Sequence, residues 1–255
     1  MAQSVGVVVP TFRPDVDRLR SYVIDIDERL APDAIRIELD DPAADVPASL
    51  ADLPATLNAV PYRRGKGAAI TAGFEALDTD VLAFVDADGS TAIESFADIV
   101  GRVTDGSADL AVGSRRHPDA NVHSHQTLAR RFLGDGFAWL AGRLLEVSLY
   151  DYQCGAKAIT DEEWDLVRGH LYDAGFAWDV ELVAIAGALG LDIIEVPIDW
   201  EDQPGSTVSP VRSSLNMATA LVRARHRAKR LSDSRLHTAI AARREDGPAL
   251  VEQDE

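Results

Sequence analysis

Short apolar runs alternate with longer segments of helical periodicity along the first half of the chain. The run Val81–Val85 is apolar throughout, is long enough for a buried strand, and leads directly into Asp86 and Asp88. Strands that alternate with helices in this way predict a mostly parallel sheet with right-handed crossovers. The predicted strands are 5–9, 35–39, 57–60, 81–85 and 108–112, and the predicted helices are 14–30, 93–103 and one that opens at 63–67 and ends near 77.

The second half of the chain is less regular. We predict helices over 127–145, 178–189 and 215–231, strands over 156–159 and 193–199, and loop or disorder over 43–56 and the last dozen residues. The helix over 178–189 is predicted to be amphipathic and to end at Gly190. No internal repeat or linker interrupts the pattern, so we expect one α/β domain. Its predicted parts are the main domain over 1–211, a basic amphipathic helix over 212–231 and a flexible tail over 232–255.

Composition narrows the class of protein. The chain has 255 residues, is 46% hydrophobic and carries a net charge of −17. Only Lys66, Lys157 and Lys229 are lysines among its 25 basic residues, and such an acid excess is typical of proteins from a high-salt cytoplasm, where salt screens self-repulsion. A protein with this acid excess is not expected to bind nucleic acid. One cysteine, no basic leader and no apolar run of membrane-spanning length predict a cytoplasmic protein.

Charge is unevenly distributed along the chain. Residues 212–244 contain nine basic residues and one acid, a net charge of +8, which leaves −25 on the rest. A basic segment on an acidic body indicates either peripheral contact with an anionic membrane or a helix that docks on the acidic body itself. Both alternatives stay open at this stage.

The acidic pair Asp86 and Asp88 is the strongest chemical signal. Both residues follow a predicted strand, at the edge of the sheet where open α/β folds bind ligands. A turn there can direct both carboxylates to one cation, and hard oxygen ligands suit Mg²⁺ or Mn²⁺ together with phosphate oxygens. The pair predicts a metal–diphosphate site, with a solvated acidic turn as the alternative.

Two groups of cations lie at the same predicted edge. The segment 63–67 reads Arg-Arg-Gly-Lys-Gly at a helix start, where backbone N–H groups bind anions and glycines let a phosphate approach. The segment 113–116 reads Gly-Ser-Arg-Arg, and Arg130 and Arg131 follow on the next predicted helix. Such arginines clamp diphosphate oxygens in a bidentate way. A basic helix cap and salt bridges to the acidic surface are the alternatives.

In order along the chain these motifs resemble the family 2 glycosyltransferases, most of all the dolichyl-phosphate glucose and mannose synthases. The resemblance extends over roughly residues 4–230. The Gln-Cys-Gly-Ala-Lys and Trp-Asp-Val-Glu-Leu segments are its most specific part. It rests on Val-Val-Val-Pro-Thr-Phe at 7–12, Asp-Asp at 40–41, Gly-Lys-Gly at 65–67, Asp-Ala-Asp-Gly at 86–89, Gly-Ser-Arg at 113–115, Asp-Tyr-Gln-Cys-Gly-Ala-Lys at 151–157, Trp-Asp-Val-Glu-Leu at 178–182 and Gly-Ser at 205–206.

The resemblance implies a GT-A fold and a donor that is a UDP- or GDP-hexose. It also implies roles for single residues. On the donor side these are Pro10 and Thr11 lining the nucleotide pocket, Asp40 accepting a hydrogen bond from the base, Lys66 near the diphosphate, and Asp86 and Asp88 holding Mg²⁺ or Mn²⁺. On the catalytic and acceptor side they are Arg115 and Arg130 contacting phosphates, Gln153, Cys154, Gly155 and Ser206 shaping the acceptor pocket, and Asp179 near the usual position of a general base.

The chain departs from the family pattern at three positions. Arg13-Pro14 replaces the usual Asn-Glu or Asn-Asp, and Asp40-Asp41-Pro42-Ala43 replaces an Asp-Asp-Gly-Ser turn. Gly205-Ser206-Thr207 replaces Gly-Ser-Lys, which removes a cation. The first two departures fall where the resemblance places the nucleotide, and the third falls on the acceptor side.

The function expected from this resemblance is inverting transfer of a hexose to a polyprenyl phosphate, for protein or surface glycosylation. An acceptor phosphate is already anionic, so Asp179 would orient rather than deprotonate. If the acceptor is instead a sugar hydroxyl of a lipid-linked glycan, Asp179 or Glu181 must accept a proton. A nucleotidylyltransferase is a further alternative, because it also uses a basic loop and an aspartate–metal pair.

Overall fold

A central sheet of seven strands forms the core of the protein. The computed structural model describes residues 3–123, 128–203, 210–231 and 247–253, with side chains outside 128–135 and 210–218. A separate two-stranded parallel ribbon joins β6 (Asn121–His123) to β9 (Asp199–Glu201). The strands of the main sheet are β1 (Val5–Phe12), β2 (Ala34–Asp40), β3 (Thr56–Val60), β4 (Val81–Val85), β5 (Leu110–Ser114), β7 (Ala156–Thr160) and β8 (Ile193–Pro197).

The order of the strands creates a crevice at one edge of the sheet. The order is β3-β2-β1-β4-β7-β5-β8, and the strands run parallel except for β7. The chain moves outward from β1 through β2 and β3 and then returns to pair β4 with the other side of β1. The carboxyl ends of β1 and β4 therefore flank a topological switch point, where open α/β sheets bind ligands. The amino end of the antiparallel β7 lies at this same edge.

Helices cover both faces of the sheet. A hydrophobic cluster fills the space between the sheet and the helices on each face. Strand β4 contributes to both clusters because its side chains alternate between the faces. Leu82 and Phe84 pack with Trp178 on one face, and Val81 and Val85 belong to the cluster on the other face. The helices are α1 (Val16–Leu30), α2 (Val46–Leu50), α3 (Lys66–Glu75), α4 (Ile93–Thr104), α5 (Leu128–Leu144), α6 (Asp161–Val167), α7 (Trp178–Leu189) and α8 (Pro210–Leu231), with 3₁₀ turns at Arg168–His170 and Leu250–Glu252.

The mostly parallel sheet predicted from the sequence is confirmed, whereas several local predictions are wrong. Helix α7 is not amphipathic: every residue from 178 to 186 is buried, because Trp178 packs on Phe84 of β4 on one side and α8 packs on the helix on another. The predicted loop 43–56 contains α2, and α6 was not predicted. β1 continues through Pro10 to Phe12, and the predicted strand 193–199 divides into β8 and β9 at Ile198.

The predicted flexible tail, 232–255, includes residues near its end that pack on the domain. Leu250 is 4% exposed, and its backbone N–H donates to the carbonyl of Leu171 at 2.9 Å. Residues 247–253 are thus docked on the domain, because one apolar side chain finds a buried position beside the Arg168–His170 turn. Residues 232–246 of the predicted tail lie outside the described residues.

The basic helix α8 docks on the acidic body. Leu221, Ala224 and Ala228 are buried against the core, and Arg227 pairs with Glu181 of α7. Docking, one of the two alternatives left open above, is therefore observed over 219–231. Among the helices of the described residues, none combines the length and the hydropathy that spanning a bilayer requires.

Candidate active site at the carboxyl edge of the sheet

The acidic pair stands at the centre of this edge. The Asp86 backbone N–H donates to the Gly155 carbonyl at 2.8 Å, and a Cβ at position 155 would lie 1.8 Å from Asp86 Oδ2. Only glycine leaves room for this carboxylate, whose side chain remains 42% exposed. Asp88 is exposed, accepts a hydrogen bond from the Ser90 backbone N–H at 3.0 Å, and precedes Gly89 at φ +66°. The turn therefore leaves both carboxylates accessible.

These residues fit a hard divalent cation. Gly155 forms a cradle for one carboxylate, and the buried Ser90 hydroxyl beside the other has no hydrogen-bond partner among the described atoms. No group of three metal-ligating side chains occurs in the part of the chain that the structure describes. Two carboxylates suit a cation that completes its shell with water and substrate phosphate, as Mg²⁺ does.

A buried network of opposite charges lies directly behind the acidic pair. Lys66 Nζ lies 2.9 Å from Asp86 Oδ1 and 3.0 Å from Asp179 Oδ2. Lys157 Nζ lies 2.6 Å from the other oxygen of Asp179 and donates to the Cys154 carbonyl at 2.6 Å. Although burial alone would raise the pKa of Asp179, Lys157 and Lys66 hold it below its ordinary value. Lys157 belongs to the motif at 151–157, but sequence reasoning assigned it no role, although a lysine in so lysine-poor a chain was a usable signal.

Neither candidate for a general base is free to accept a proton. Asp179 is 2% exposed and is ion-paired with both lysines. Glu181, also 2% exposed, accepts the backbone N–H groups of Tyr172 and Asp173, each at 2.8 Å, and pairs with Arg227. Asp179 orients Lys66, and Glu181 fixes a loop and helix α8.

Asp40 is committed to holding the basic loop 63–67. Its carboxylate is 3% exposed and accepts hydrogen bonds from Arg64 N, Arg64 Nε and Gly65 N at 2.7, 2.8 and 3.0 Å. Arg64 Nη2 also lies 2.8 Å from the buried Glu38. The base contact expected of Asp40 therefore competes with three internal donors. The neighbouring Asp41, 44% exposed, is the more accessible carboxylate.

The start of α3 is built differently from a phosphate-binding helix terminus. The backbone N–H groups of Gly67 and Ala68 both donate to the Ala174 carbonyl, at 2.9 and 3.2 Å. Gly65 has φ +103°, and a Cβ there would lie 2.3 Å from the Ala174 oxygen. A Cβ on Gly67 would lie 2.4 Å from the Asp173 carbonyl oxygen. The expectation that these glycines admit a phosphate is wrong, because the chain at 173–175 already fills that space.

An aromatic ring with two guanidinium groups close to it forms the outer part of the edge. Arg63 lies 4.1 Å and Arg13 5.0 Å from the centre of the Phe12 ring. Arg13 pairs with Asp41 at 3.4 Å, and both residues have positive φ, +51° and +45°. The segment 63–67, which includes Arg63, was expected at this edge as an anion-binding group, and Phe12 ends the motif at 7–12, but neither Phe12 nor Arg13 was assigned a role in the site. The expected pocket residues Pro10 and Thr11 are buried behind them.

Arg115 is held by a carboxylate that sequence reasoning did not select. Asp151, 2% exposed, accepts Arg115 Nε at 2.7 Å and Nη2 at 3.0 Å. Burial opposes the charge on Asp151, but Arg115 keeps its pKa below the ordinary value. Burial opposes the charge on Arg115, but Asp151 and, more weakly, Asp86 raise the pKa of Arg115 above its ordinary value. The Arg115 side chain is 27% exposed, so its remaining N–H groups can meet a ligand.

The expected acceptor-side residues have mixed outcomes. Cys154 is 1% exposed and burial raises the pKa of its thiol to about 12, which fits a small packing residue rather than a nucleophile. Gln153 donates its backbone N–H to Asp151 at 3.0 Å, and Gly155 supports Asp86. The Arg130 side chain and Ser206 lie outside the described residues.

Solved structures share this architecture. Glucosyl-3-phosphoglycerate synthase of Mycobacterium tuberculosis, in complex with Mn²⁺, UDP-glucose and phosphoglyceric acid, superposes with a TM-score of 0.66 at 16% identity, over 88% of this chain and 80% of that one. Mannosyl-3-phosphoglycerate synthase of Rubrobacter xylanophilus gives 0.66 at 17% identity, over 96% and 78%. At such identities the likeness concerns the fold alone, and that fold is the GT-A type.

Sequence comparison finds one family model and several relatives that are similar to the chain. Residues 43–146 match the model of the family described as Glycosyl transferase family 2. Glycosyltransferase AglD of Haloferax volcanii is 32% identical over 161 residues, 63% of this chain and 26% of AglD. Dolichyl-phosphate beta-glucosyltransferase of Dictyostelium discoideum is 32% identical over 168 residues, 64% of this chain and 51% of that protein. Over this segment the chain is similar to family 2 glycosyltransferases, and it spans about a quarter of AglD and about half of the second relative.

Proposed function

We propose that this protein transfers a hexosyl group from a nucleotide sugar to a polyprenyl phosphate, with inversion at the anomeric carbon. The observation that carries the proposal is the state of Asp179 and Glu181. Both are buried and ion-paired, so neither can serve as the base that a hydroxyl acceptor requires. A phosphate acceptor is already an anion and needs no base.

The donor side supports the same proposal. Asp86 and Asp88 would hold a divalent cation, which when bound would stabilise negative charge on the leaving diphosphate. Arg115, fixed by Asp151, presents N–H groups near the acidic pair and would bind donor or acceptor phosphate. The exposed Arg63 and the partly buried Phe12 would border the nucleotide. We keep Arg130 and Ser206 as proposed phosphate and acceptor contacts.

The reaction balances as a single displacement. An oxygen of the acceptor phosphate forms a bond to the anomeric carbon while the bond from that carbon to the donor diphosphate breaks. The electron pair leaves with the nucleoside diphosphate, and no proton has to be moved at the acceptor. Arg115 would meet the charge that accumulates on phosphate oxygens, the type of preorganised electrostatic stabilisation that dominates many enzymes.

Relatives agree with a lipid acceptor. Several dolichyl-phosphate beta-glucosyltransferases are 30–34% identical to the chain, and the M. tuberculosis structure contains UDP-glucose and Mn²⁺. We therefore propose a UDP- or GDP-hexose donor, Mg²⁺ or Mn²⁺, and work at a membrane surface, for protein or surface glycosylation. Among the described residues of the site, no feature favours the nucleotidylyltransferase alternative over glycosyl transfer.

A pair of matched acceptors tests the proposal. The protein is incubated in molar KCl with UDP-glucose or GDP-mannose, Mn²⁺, and either a dolichyl phosphate or the dolichol that lacks only the phosphate. We expect glycolipid and nucleoside diphosphate with the phosphate and neither with the alcohol. Transfer to dolichol or to a glycan hydroxyl would refute the anionic acceptor, and release of inorganic diphosphate would indicate a nucleotidylyltransferase.

A further inference from the structure

A lysine occupies one of the two carboxylates proposed for the metal. Lys66 Nζ lies 2.9 Å from Asp86 Oδ1 and 3.0 Å from Asp179 Oδ2, and its side chain is 9% exposed. Lys157, 1% exposed, closes the arrangement on the far oxygen of Asp179. We call Lys66, Lys157, Asp86 and Asp179 the lysine–aspartate cluster. Its two positive and two negative formal charges cancel.

The choice of lysine in this cluster runs against the composition of the chain. Lysine supplies only three of the 25 basic residues, and two of these three lie in the cluster. An ammonium is a compact charge with three donors, whereas a guanidinium is a planar fork that pairs side by side with one carboxylate, as Arg115 does with Asp151. A compact cation is required to bridge two carboxylates behind the metal site, with both ammonium groups 5.2 and 5.5 Å from the Phe84 ring.

From this geometry we propose that Lys66 is a positioning residue that neutralises Asp86 until the donor arrives. Resting on the proposed function, the inference is that the cation and the nucleoside diphosphate each bind weakly alone and strongly together. A divalent cation can use Asp86 fully only when the Lys66 ammonium leaves Oδ1, because two cations cannot share one carboxylate oxygen without strong repulsion. Asp179 and Lys157 keep the displaced ammonium within the site.

Charge balance gives the reason for the coupling. The cluster is neutral, so a divalent cation together with Asp88 leaves one net positive charge at this edge. A released Lys66 then faces that excess charge until an anion enters. The diphosphate of the donor supplies two negative charges and gives the freed ammonium a partner. The metal alone therefore lacks the compensation that the metal–nucleotide pair receives.

The experiment measures Mn²⁺ binding directly, by electron paramagnetic resonance of free Mn²⁺, in molar KCl. The proteins are the full chain and its variants Lys66→Met, Lys66→Gln and Lys229→Met, each with and without UDP or GDP. Lys229 is the third lysine, pairs with Glu146 on the surface, and is the matched control. For the wild type and Lys229→Met we expect Mn²⁺ to bind at least about tenfold more tightly with nucleotide, with the reciprocal change in nucleotide affinity.

Replacing Lys66 is expected to change both quantities. Mn²⁺ alone should bind at least about tenfold more tightly to Lys66→Met than to the wild type, and the effect of nucleotide should fall to less than about threefold. Far-UV circular dichroism and a cooperative melt establish that the variant is folded, and Lys66→Gln replaces it if it is not. Unchanged or weaker Mn²⁺ binding by a folded variant overturns the inference.

Failure of the inference can be separated from failure of the proposed function. If the wild type binds no Mn²⁺ with either nucleotide, the metal site itself is refuted. If Mn²⁺ binds to the wild type and is lost in Asp88→Asn, but Lys66→Met does not tighten it, only the role of Lys66 is refuted. Equal Mn²⁺ affinity of the wild type with and without nucleotide also overturns the coupling.

Discussion

Two acid pairs of identical spacing have opposite environments in this protein. Asp86 and Asp88 follow a strand at the edge of the sheet, where one side chain is 42% exposed and the other is exposed. Asp179 and Glu181 lie in the first turn of α7, where both are 2% exposed. The first pair retains oxygens for a ligand. The second is saturated by lysines, an arginine and backbone N–H groups, so equal spacing does not imply equal chemistry.

Asp86 and Asp88 form the outer pair. Removing one of these carboxylates should affect activity far more than stability. We expect Asp88→Ala to reduce transfer by about 10³-fold, roughly 4 kcal/mol, because the metal loses a ligand and the leaving diphosphate its stabilisation. Asp98→Ala, which removes an exposed acid from α4, is the matched control. Transfer is measured in saturating Mn²⁺. Full activity of Asp88→Ala would mean that the pair is only a solvated acidic turn.

Asp179 and Glu181 form the inner pair. Removing one of these carboxylates should lower stability more than removing Asp88 does. Asp179→Ala leaves two buried ammonium groups without their shared partner, and breaking a buried ion pair in this way costs about 3–5 kcal/mol. Denaturant unfolding in molar KCl measures the change against wild type and Asp88→Ala. The comparison fails if Asp179→Ala is as stable as wild type while Asp88→Ala is not.

The two neighbouring arginines after β5 should also differ: replacing Arg115 should reduce turnover more than replacing Arg116. Arg115 is anchored in a bidentate pair with Asp151, so we expect Arg115→Ala to lower turnover by about 10²-fold. Arg116→Ala should have a smaller effect, and the steady-state rates of the two variants at saturating donor give the comparison. Small and equal losses would favour a surface salt-bridge role for both.

Helix α8 closes over the inner pair, and adjacent residues test how much it contributes. Leu221 is fully buried and Val222 is 59% exposed. We expect Leu221→Ala to lower the free energy of unfolding by about 2–3 kcal/mol and Val222→Ala by less than about 0.5 kcal/mol. Thermal melts of both variants measure this. Reduced liposome flotation of Val222→Ala alone would indicate that the exposed face of α8 contacts the membrane. Equal stability of the two variants would contradict docking.

The smallest expected effect is a pH dependence at the Arg115–Asp151 pair. The folded-state pKa of Asp151 is lowered, so its contribution to stability is present above the unfolded pKa of about 3.9 and is lost as the pH falls through the lower folded pKa. Asp151→Asn should thus be less stable than wild type at pH 7, and the difference should begin to shrink as the pH falls below about 4. Unfolding free energies across pH 3–7 provide the measurement. A difference that is independent of pH would contradict the ion pair.

Local patterns predicted much of this protein. The apolar run Val81–Val85 and the acids after it fixed both a buried strand and the edge on which the site lies. The bounds predicted for the apolar helix α7 are the observed ones, Trp178–Leu189. Such features depend on neighbours in sequence, where hydrophobic periodicity and turn residues act directly. The order of motifs was also sufficient to indicate the family.

Only the tertiary structure decided which charged groups remain available. Asp40 and Arg64, Arg115 and Asp151, and Asp179 with its two lysines are partners that lie 22 to 113 residues apart along the chain. A sequence shows that a residue is charged, but desolvation and pairing depend on which segments meet when the sheet forms. Gly65 and Gly67 illustrate the same limit, since the chain that fills the space beside them comes from residues 173–175. The sequence by itself determined the fold, the edge and the acidic pair, whereas long-range packing determined what each charge can do.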